Sequence, residues 1–264
     1  MQGETGFERT RYKMVIEPSL ARAGYQADNK IFQQQTSAQI IHTLLQKNGI
    51  ARHEFHFLER LWQREYCVQY RETDLAFIER LAAEEGAYYY FAHTADSHTL
   101  HFSNTTAFSS ELGQLLYNPT PAGDRPEPAL WRWAYEMKLG TTQHTLRDYT
   151  FTHPNYHQEH QRSSQQSNVL GESVVNLYEK YDYPGRYKRD AQGEPFNQYR
   201  LEYERRESEV ALATGDDLRV IPGYRFSLTG HPREHFNQSW LVVEVEHRGW
   251  QYGVLEEEAG NSGN

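Results

Sequence analysis

Two stretches of the chain repeat apolar residues at helical spacing. Ile40, Ile41, Leu44 and Leu45 make one stripe. Ahead of it Thr36 and Gln39 stand three apart, the spacing at which a hydroxyl and an amide side chain each satisfy the other residue's free backbone amide. Asn48-Gly49 supplies the stop. Leu75, Ile78, Leu81 and Ala82 make the second stripe, widened by Phe77. Thr73 or Asp74 caps that helix, and the Asp74 carboxylate suits the positive end of the helix dipole. Gly86 falls where a helix-ending glycine belongs, after Glu84-Glu85. A third helix can be drawn through Tyr199, Tyr203 and Val210, ending before Gly215.

The remaining apolar runs read as strands. Arg11 to Pro18, with Met14, Val15 and Ile16, predicts a strand stopped by its proline, and a strongly polar stretch through Gln33-Gln34-Gln35 follows. Short strands are expected at His53–Phe57 and Tyr66–Tyr70. Tyr88–Phe91 should pair with Thr99–Phe102 across a polar turn. Asn118 to Pro128 holds Pro119, Pro121, Pro126 and Pro128, so it is the best boundary or long loop. Beyond it, strands are expected at Leu130–Met137, Leu146–Thr152, Tyr224–Leu228 and Trp240–His247. In the last of these, Leu241, Val243 and Val245 would share a face. The fold class is therefore α+β and mainly β.

Composition sharpens this picture. The 264 residues include 19 Tyr, and aromatic residues make up 14% of the chain. Counting the 18 Gly in place of the 19 Tyr leaves about 37% apolar residues, below the ~45–50% usual for globular chains. Aromatic rings must then carry much of the burial, which suits sheets and subunit interfaces. No apolar run is long enough to span a membrane, and the first residues carry no secretory signal. A net charge of −9 without a basic block argues against a nucleic-acid partner. Cys67 alone excludes an internal disulfide framework and reads as a buried, inert thiol.

The candidate chemistry is thin. His153, His157 and His160 are interrupted by Pro154 and Asn155, so they read as a solvated loop rather than a metal centre. His53 and His56, and likewise His98 and His101, lie three apart in strands and point to opposite faces. Glu84-Glu85 reads as a solvated helix end, and Asp216-Asp217 as diverging neighbours. No nucleophile elbow, metalloprotease helix or phosphate-binding loop is present in the sequence. No catalytic residue, metal ligand or cofactor site is expected. One segment stands out: Tyr178-Glu179-Lys180-Tyr181-Asp182-Tyr183-Pro184-Gly185-Arg186-Tyr187. Pro184-Gly185 suggests a type II turn, with Asp182 bonding its amides and the tyrosines packed beside it. A rigid aromatic corner is the plain reading, and a carbohydrate or partner platform is the sharper one.

That segment resembles a known signature. Asp182-Tyr183-Pro184-Gly185-Arg186-Tyr187 is similar to the Asp-Tyr-Pro-Gly-Arg-Tyr block of VgrG proteins, the spike proteins of bacterial type VI secretion systems. A second block agrees, Arg71 to Leu81 with Thr73, Asp74, Phe77, Arg80 and Leu81, followed by Glu84-Glu85-Gly86 and Tyr88–Phe91. Ile31-Phe32-Gln33 and Ile221-Pro222-Gly223, the latter with Phe226, Leu228, Gly230 and His231, match in order.

The resemblance implies a phage tail hub-like fold of β-barrel subdomains with an inserted α/β piece. It divides the chain into residues 1–128 (a partial first barrel with the insertion) and residues 129–255 (a second barrel-like subdomain); the run Glu256-Glu257-Glu258 followed by Gly, Asn and Ser reads, from its composition, as a disordered tail at 256–264. The resemblance also implies a non-enzymatic, trimeric base that caps the hexameric Hcp tube and supports a membrane-puncturing needle. The needle and any effectors would lie beyond a middle fragment of the hub region. The expected route is assembly in the bacterial cytoplasm, then secretion by the type VI machinery, without stable membrane insertion of this segment. A carbohydrate-binding or glycoside-acting protein is the alternative, resting on Tyr183, Trp131 and the many carboxylates.

Overall fold

A computed structural model describes residues 2–5, 10–59, 61–120, 127–164 and 178–249. The expected tail at 256–264 and the middle of the proline-rich segment lie outside those residues. The chain forms two compact units, each assembled from two stretches: Met1–Phe108 with Tyr135–Ala211, and Ser109–Ala134 with Leu212–Asn264.

In the first unit, β1 (Gln2–Thr5) pairs antiparallel with β2 (Thr10–Tyr12). A 3-10 segment, Ser19–Tyr25, leads into β3 (Ala27–Thr36), α1 (Ser37–Lys47), β4 (His53–His56), β5 (Gln63–Thr73) and α2 (Asp74–Glu84). Strands β6 (Tyr88–His93) and β7 (His98–Ser103) form the expected antiparallel hairpin, and β4 adds parallel to β7. Strands β3 and β5 form a separate antiparallel ribbon, with Phe32 opposite Cys67. The buried faces of α1 and α2 meet this ribbon and hairpin in one core, with Ile40, Leu44, Phe77, Ile78, Leu81, Leu100 and Phe102 among its members. Both capping arguments hold. Thr36 and Gln39 make both bonds of the capping box, and Thr73 Oγ1 accepts from the Ala76 amide at 3.1 Å.

After the excursion that builds the second unit, the chain returns with β10 (Gln143–Arg147), β11 (Glu159–Ser163), β12 (Glu179–Asp182) and α3 (Asp190–Arg205). β10 is the central strand, antiparallel to β11 and parallel to β12. Leu146, Tyr187 and Phe196 make a small core there, joined by Trp62 and Tyr199.

The second unit is built on the five-stranded order β13-β9-β8-β14-β15, with β8 Glu111–Tyr117, β9 Ala129–Met137, β13 Glu209–Gly215, β14 Arg225–Thr229 and β15 Ser239–Leu241. Aromatic packing dominates it: Trp133 meets Trp240 edge-on at 4.9 Å, and His231 lies 4.5 Å from Tyr117. Strand content exceeds helix, in line with a mainly β α+β fold. The recorded pairings are open ladders, with no closing pair among the described residues.

Five local expectations are corrected. The predicted first strand stops at Tyr12, and Met14, Val15 and Ile16 stand in solvent, Ile16 at 92% exposure. The polar stretch around Gln33–Gln35 is the end of a ten-residue strand, β3, whose only fully covered side chain is Phe32. Leu146 starts no long strand, because β10 ends at Arg147 and a turn follows. The third helix covers Asp190–Arg205, while Val210 belongs to β13. The last strand ends at Leu241, and Val242, not Val243, is the buried valine.

Candidate functional site

Residues from the two sequence blocks meet around the end of α2. Arg80 lies along the helix with its guanidinium 4.9 Å from the Phe77 ring. Its Nη2 donates to Glu72 Oε1 at 2.6 Å and to the Val68 carbonyl at 2.9 Å, and its Nη1 donates to Glu84 Oε1 at 3.3 Å. Hydrogen bonding to Glu72 holds the Arg80 proton more tightly than usual. Arg64 donates to both Glu84 and Glu85, reaching Glu85 Oε1 at 2.8 Å. Ser37 Oγ donates to the same Glu85 oxygen at 2.5 Å. Burial opposes the charge on Arg64, but the fields of Glu84 and Glu85 outweigh it and raise its pKa.

The Glu84-Glu85 pair is therefore not a solvated helix end. Glu85 is only 4% exposed, because three arginines and a serine gather on the two carboxylates. The third arginine is Arg186, from the Asp-Tyr-Pro-Gly-Arg-Tyr segment, whose Nη1 donates to Glu84 Oε1 at 3.3 Å. Gly86 joins the same contact. Its φ is +65°, and a Cβ there would lie 2.4 Å from the Tyr199 ring of α3. At the other end of α2, Asp74 is fully buried and accepts from Lys47, Asn48 and Gln69, each at 2.9 Å. Burial works to raise its pKa, yet these hydrogen bonds together hold the carboxyl below its ordinary value. Phe77 and Leu81 are core residues.

The Asp182–Tyr187 segment departs from the turn the sequence suggested. The Tyr183–Pro184 bond is cis, and the positive φ falls on Arg186, at 61°, rather than on Gly185. Gly185 is needed for space instead, since a Cβ would sit 2.7 Å from the Tyr187 ring and 2.8 Å from Leu146. Asp182 pairs with Arg200 of α3 rather than with turn amides. The Gly185 N–H of the turn donates to the Arg147 carbonyl at 2.9 Å, and the Tyr187 N–H donates to Asp148 Oδ2 at 3.1 Å. Tyr187 itself is 2% exposed, its hydroxyl donating to the Leu146 carbonyl at 3.2 Å and its own carbonyl accepting from Gln158 Nε2 at 2.5 Å. Burial pushes its phenol well above the usual range. Tyr181 and Tyr183 are exposed and, with Tyr149 and Tyr156, line an open cleft.

The histidines also regroup. His160 is not in a loop but on β11, where it pairs with Asp190 at 2.9 Å. His56 finds its neighbour across the sheet, with Nε2 3.0 Å from His101 Nδ1. Asp216 accepts from the Ala129 amide and Asp217 is clamped by Arg219, so neither is arranged for acid–base work. The first unit thus carries a charged cluster that ties its parts together; apart from that cluster, Ser19 Oγ lies 2.9 Å from His98 Nε2.

Over 263 residues the chain is 41% identical to the type VI secretion system spike protein VgrG2a of Pseudomonas aeruginosa, covering 99% of this chain and 31% of that protein. It is 39% identical over 261 residues to the spike protein VgrG3 of Vibrio cholerae, covering 98% of this chain and 25% of that protein. The chain spans between a quarter and a third of the length of these relatives. Among solved structures, it resembles Escherichia coli c3393, described as a type VI secretion component with structural similarity to the T4 bacteriophage tail proteins gp27 and gp5. The TM-score is 0.56 at 19% identity, over 85% of this chain and 47% of that one. A prophage MuSo2 tail protein from Shewanella oneidensis follows at TM-score 0.52 and 12% identity, covering 84% of this chain and 65% of its own. At such identities the shared feature is the fold. The sequence model described as phage tail baseplate hub (GPD) matches residues 1–253, and the chain belongs to that family.

Proposed function

We propose that this chain is hub material of a type VI secretion spike, a structural part that bears load rather than turning over a substrate. The observation that carries the reading is the 41% identity to a type VI spike protein across 99% of the chain. The arginine–carboxylate cluster supports it, because buried, multiply bonded charge rigidifies a unit without creating a reaction centre. On this reading the working form is a homotrimer that seats on the hexameric Hcp tube and leaves the cell with the spike. The needle and effectors attach through sequence outside this segment. The two barrel-like parts of that hub are assigned to residues 1–128 and 129–255, a division that runs across the two compact units. No helix among the described residues is long and apolar enough to cross a membrane.

Sedimentation of the purified chain, alone and mixed with Hcp rings, tests this. A trimer that co-sediments with Hcp is expected, and a stable monomer that ignores Hcp would overturn the assembly claim. A second reading, glycan binding, rests on the cleft lined by Tyr149, Tyr156, Tyr181 and Tyr183, whose ring faces suit sugar stacking. A glycan array without hits would remove it.

A further inference from the structure

Glu54 and His56 stand two residues apart on β4, so their side chains leave the same face of the sheet. The parallel register sets His101 of β7 directly beside Glu54. Their donor atoms form a tight triangle: His56 Nε2 is 3.0 Å from His101 Nδ1, and Glu54 Oε2 is 3.5 Å from each. A circle through three points at those separations has a radius of about 1.9 Å. Zinc–nitrogen and zinc–carboxylate bonds run about 2.0–2.2 Å, so an ion just off the triangle's plane reaches all three atoms at bonding length. The ring positions are braced. The Tyr90 ring stacks on His101 at 5.0 Å and the Phe108 ring lies 5.6 Å from His56. Glu54 is 58% exposed and the two imidazoles are partly covered, so the site opens to solvent on one side.

We propose that Glu54, His56 and His101 bind a divalent first-row transition ion, zinc by preference, as a clip between strands. Two imidazole nitrogens and one carboxylate oxygen suit that class, and the lack of sulfur disfavours copper(I). In the free protein the two nitrogens share one N–H···N hydrogen bond. Loading exchanges it for two nitrogen–metal bonds, and the bridging proton moves to the same ring's other nitrogen. Water fills the open positions. Because β4 is the outer strand of the order β4-β7-β6, the ion would pin a sheet edge to its central strand.

The test uses the full chain, stripped by chelator and titrated with zinc. Calorimetry should show one equivalent bound, and thermal melting should show a rise of several degrees on loading. His56→Gln should weaken binding at least tenfold and abolish the rise, and Glu54→Gln should weaken binding while leaving the metal-free melting point unchanged. His42→Ala, which disrupts the other close histidine pair (His42 Nδ1 to His53 Nε2, 2.7 Å), should change neither. Absence of stoichiometric zinc overturns the proposal, as does binding that survives both His56→Gln and Glu54→Gln. Binding lost only in His42→Ala would also overturn it. Glu54 is a surface residue, so its variant keeps the test decisive if His56→Gln folds poorly.

Discussion

Arg186 reaches Glu84 across 102 residues of sequence, and it does so from a left-handed backbone conformation with φ at 61°. The Arg186 side chain is 63% exposed, whereas that of Arg64 on the same carboxylate is only 9% exposed. The two arginines should therefore differ sharply in what their loss costs. An exposed pair contributes about 0–1 kcal/mol, and a non-glycine residue in the left-handed region costs about 1–2 kcal/mol. Arg186→Gly should accordingly be neutral or mildly stabilising in urea unfolding. Arg64→Ala takes the buried guanidinium from both Glu84 and Glu85 and should cost about 3 kcal/mol, the low end for breaking a buried pair. Equal costs for the two variants would refute this division.

Gly86 answers to two constraints at once, its φ of +65° and the Tyr199 ring 2.4 Å from where a Cβ would stand. Gly86→Ala should cost about 1–2 kcal/mol for the backbone and about 1–3 kcal/mol more for overpacking. Adding Tyr199→Ala removes only the second part. A double-mutant cycle that proves additive would mean the ring moves aside freely.

On an ordinary helix, Gly→Ala stabilises by about 1 kcal/mol. In α3 the sign should reverse at Gly193, because a Cβ would lie 2.4 Å from the Tyr187 ring and 2.5 Å from His160. Tyr187→Phe keeps the ring and loses only the bond to the Leu146 carbonyl, so a cost of about 1 kcal/mol is expected. Denaturant midpoints decide both, and a stabilised Gly193→Ala would show that the ring has room to yield.

Asp74 sets an acid limit. Its folded pKa lies below the ordinary 3.8, so its ionised form contributes stability that is fully present above that value. That contribution is lost as pH falls through the depressed folded value. The gap in unfolding free energy between the parent and Asp74→Asn should hold constant from about pH 7 to about pH 5 and narrow only below about pH 4. A gap that narrows near neutrality would point to another group.

Cys67 is 7% exposed, and burial raises its thiol pKa. Native protein should react with a thiol reagent far more slowly than urea-unfolded protein, since the thiolate is the reactive form. Rapid labelling of the native chain would contradict this placement.

Both capped helices and the Tyr88–Phe91 hairpin were legible because their signals are local: a capping residue, a 3.6-residue stripe, an alternating run. Strand β3 was not, because its outer face is polar and its inner face rests on little more than Phe32. The position of α3 was obscured by Gly193 and Pro195, which lower helix propensity; contacts with Tyr187 and Trp62 compensate. The family blocks marked Glu84, Gly86 and Arg186 without showing that they touch. Glu54, His56 and His101 escaped notice because their meeting depends on a parallel pairing between strands about 45 residues apart, which no local spacing reveals.

The first unit is threaded as Met1–Phe108 and Tyr135–Ala211, with the intervening stretch committed elsewhere. On the ribosome, Glu84 emerges long before Arg186, and Gly86 before the Tyr199 ring that packs on it. Helices α1 and α2 can settle early, but the unit cannot close until Ala211 has left the exit tunnel. A stalled or prematurely terminated chain would therefore leave Gly86 without the ring that covers it, and quality-control proteases would meet an unfinished unit rather than a free-standing domain.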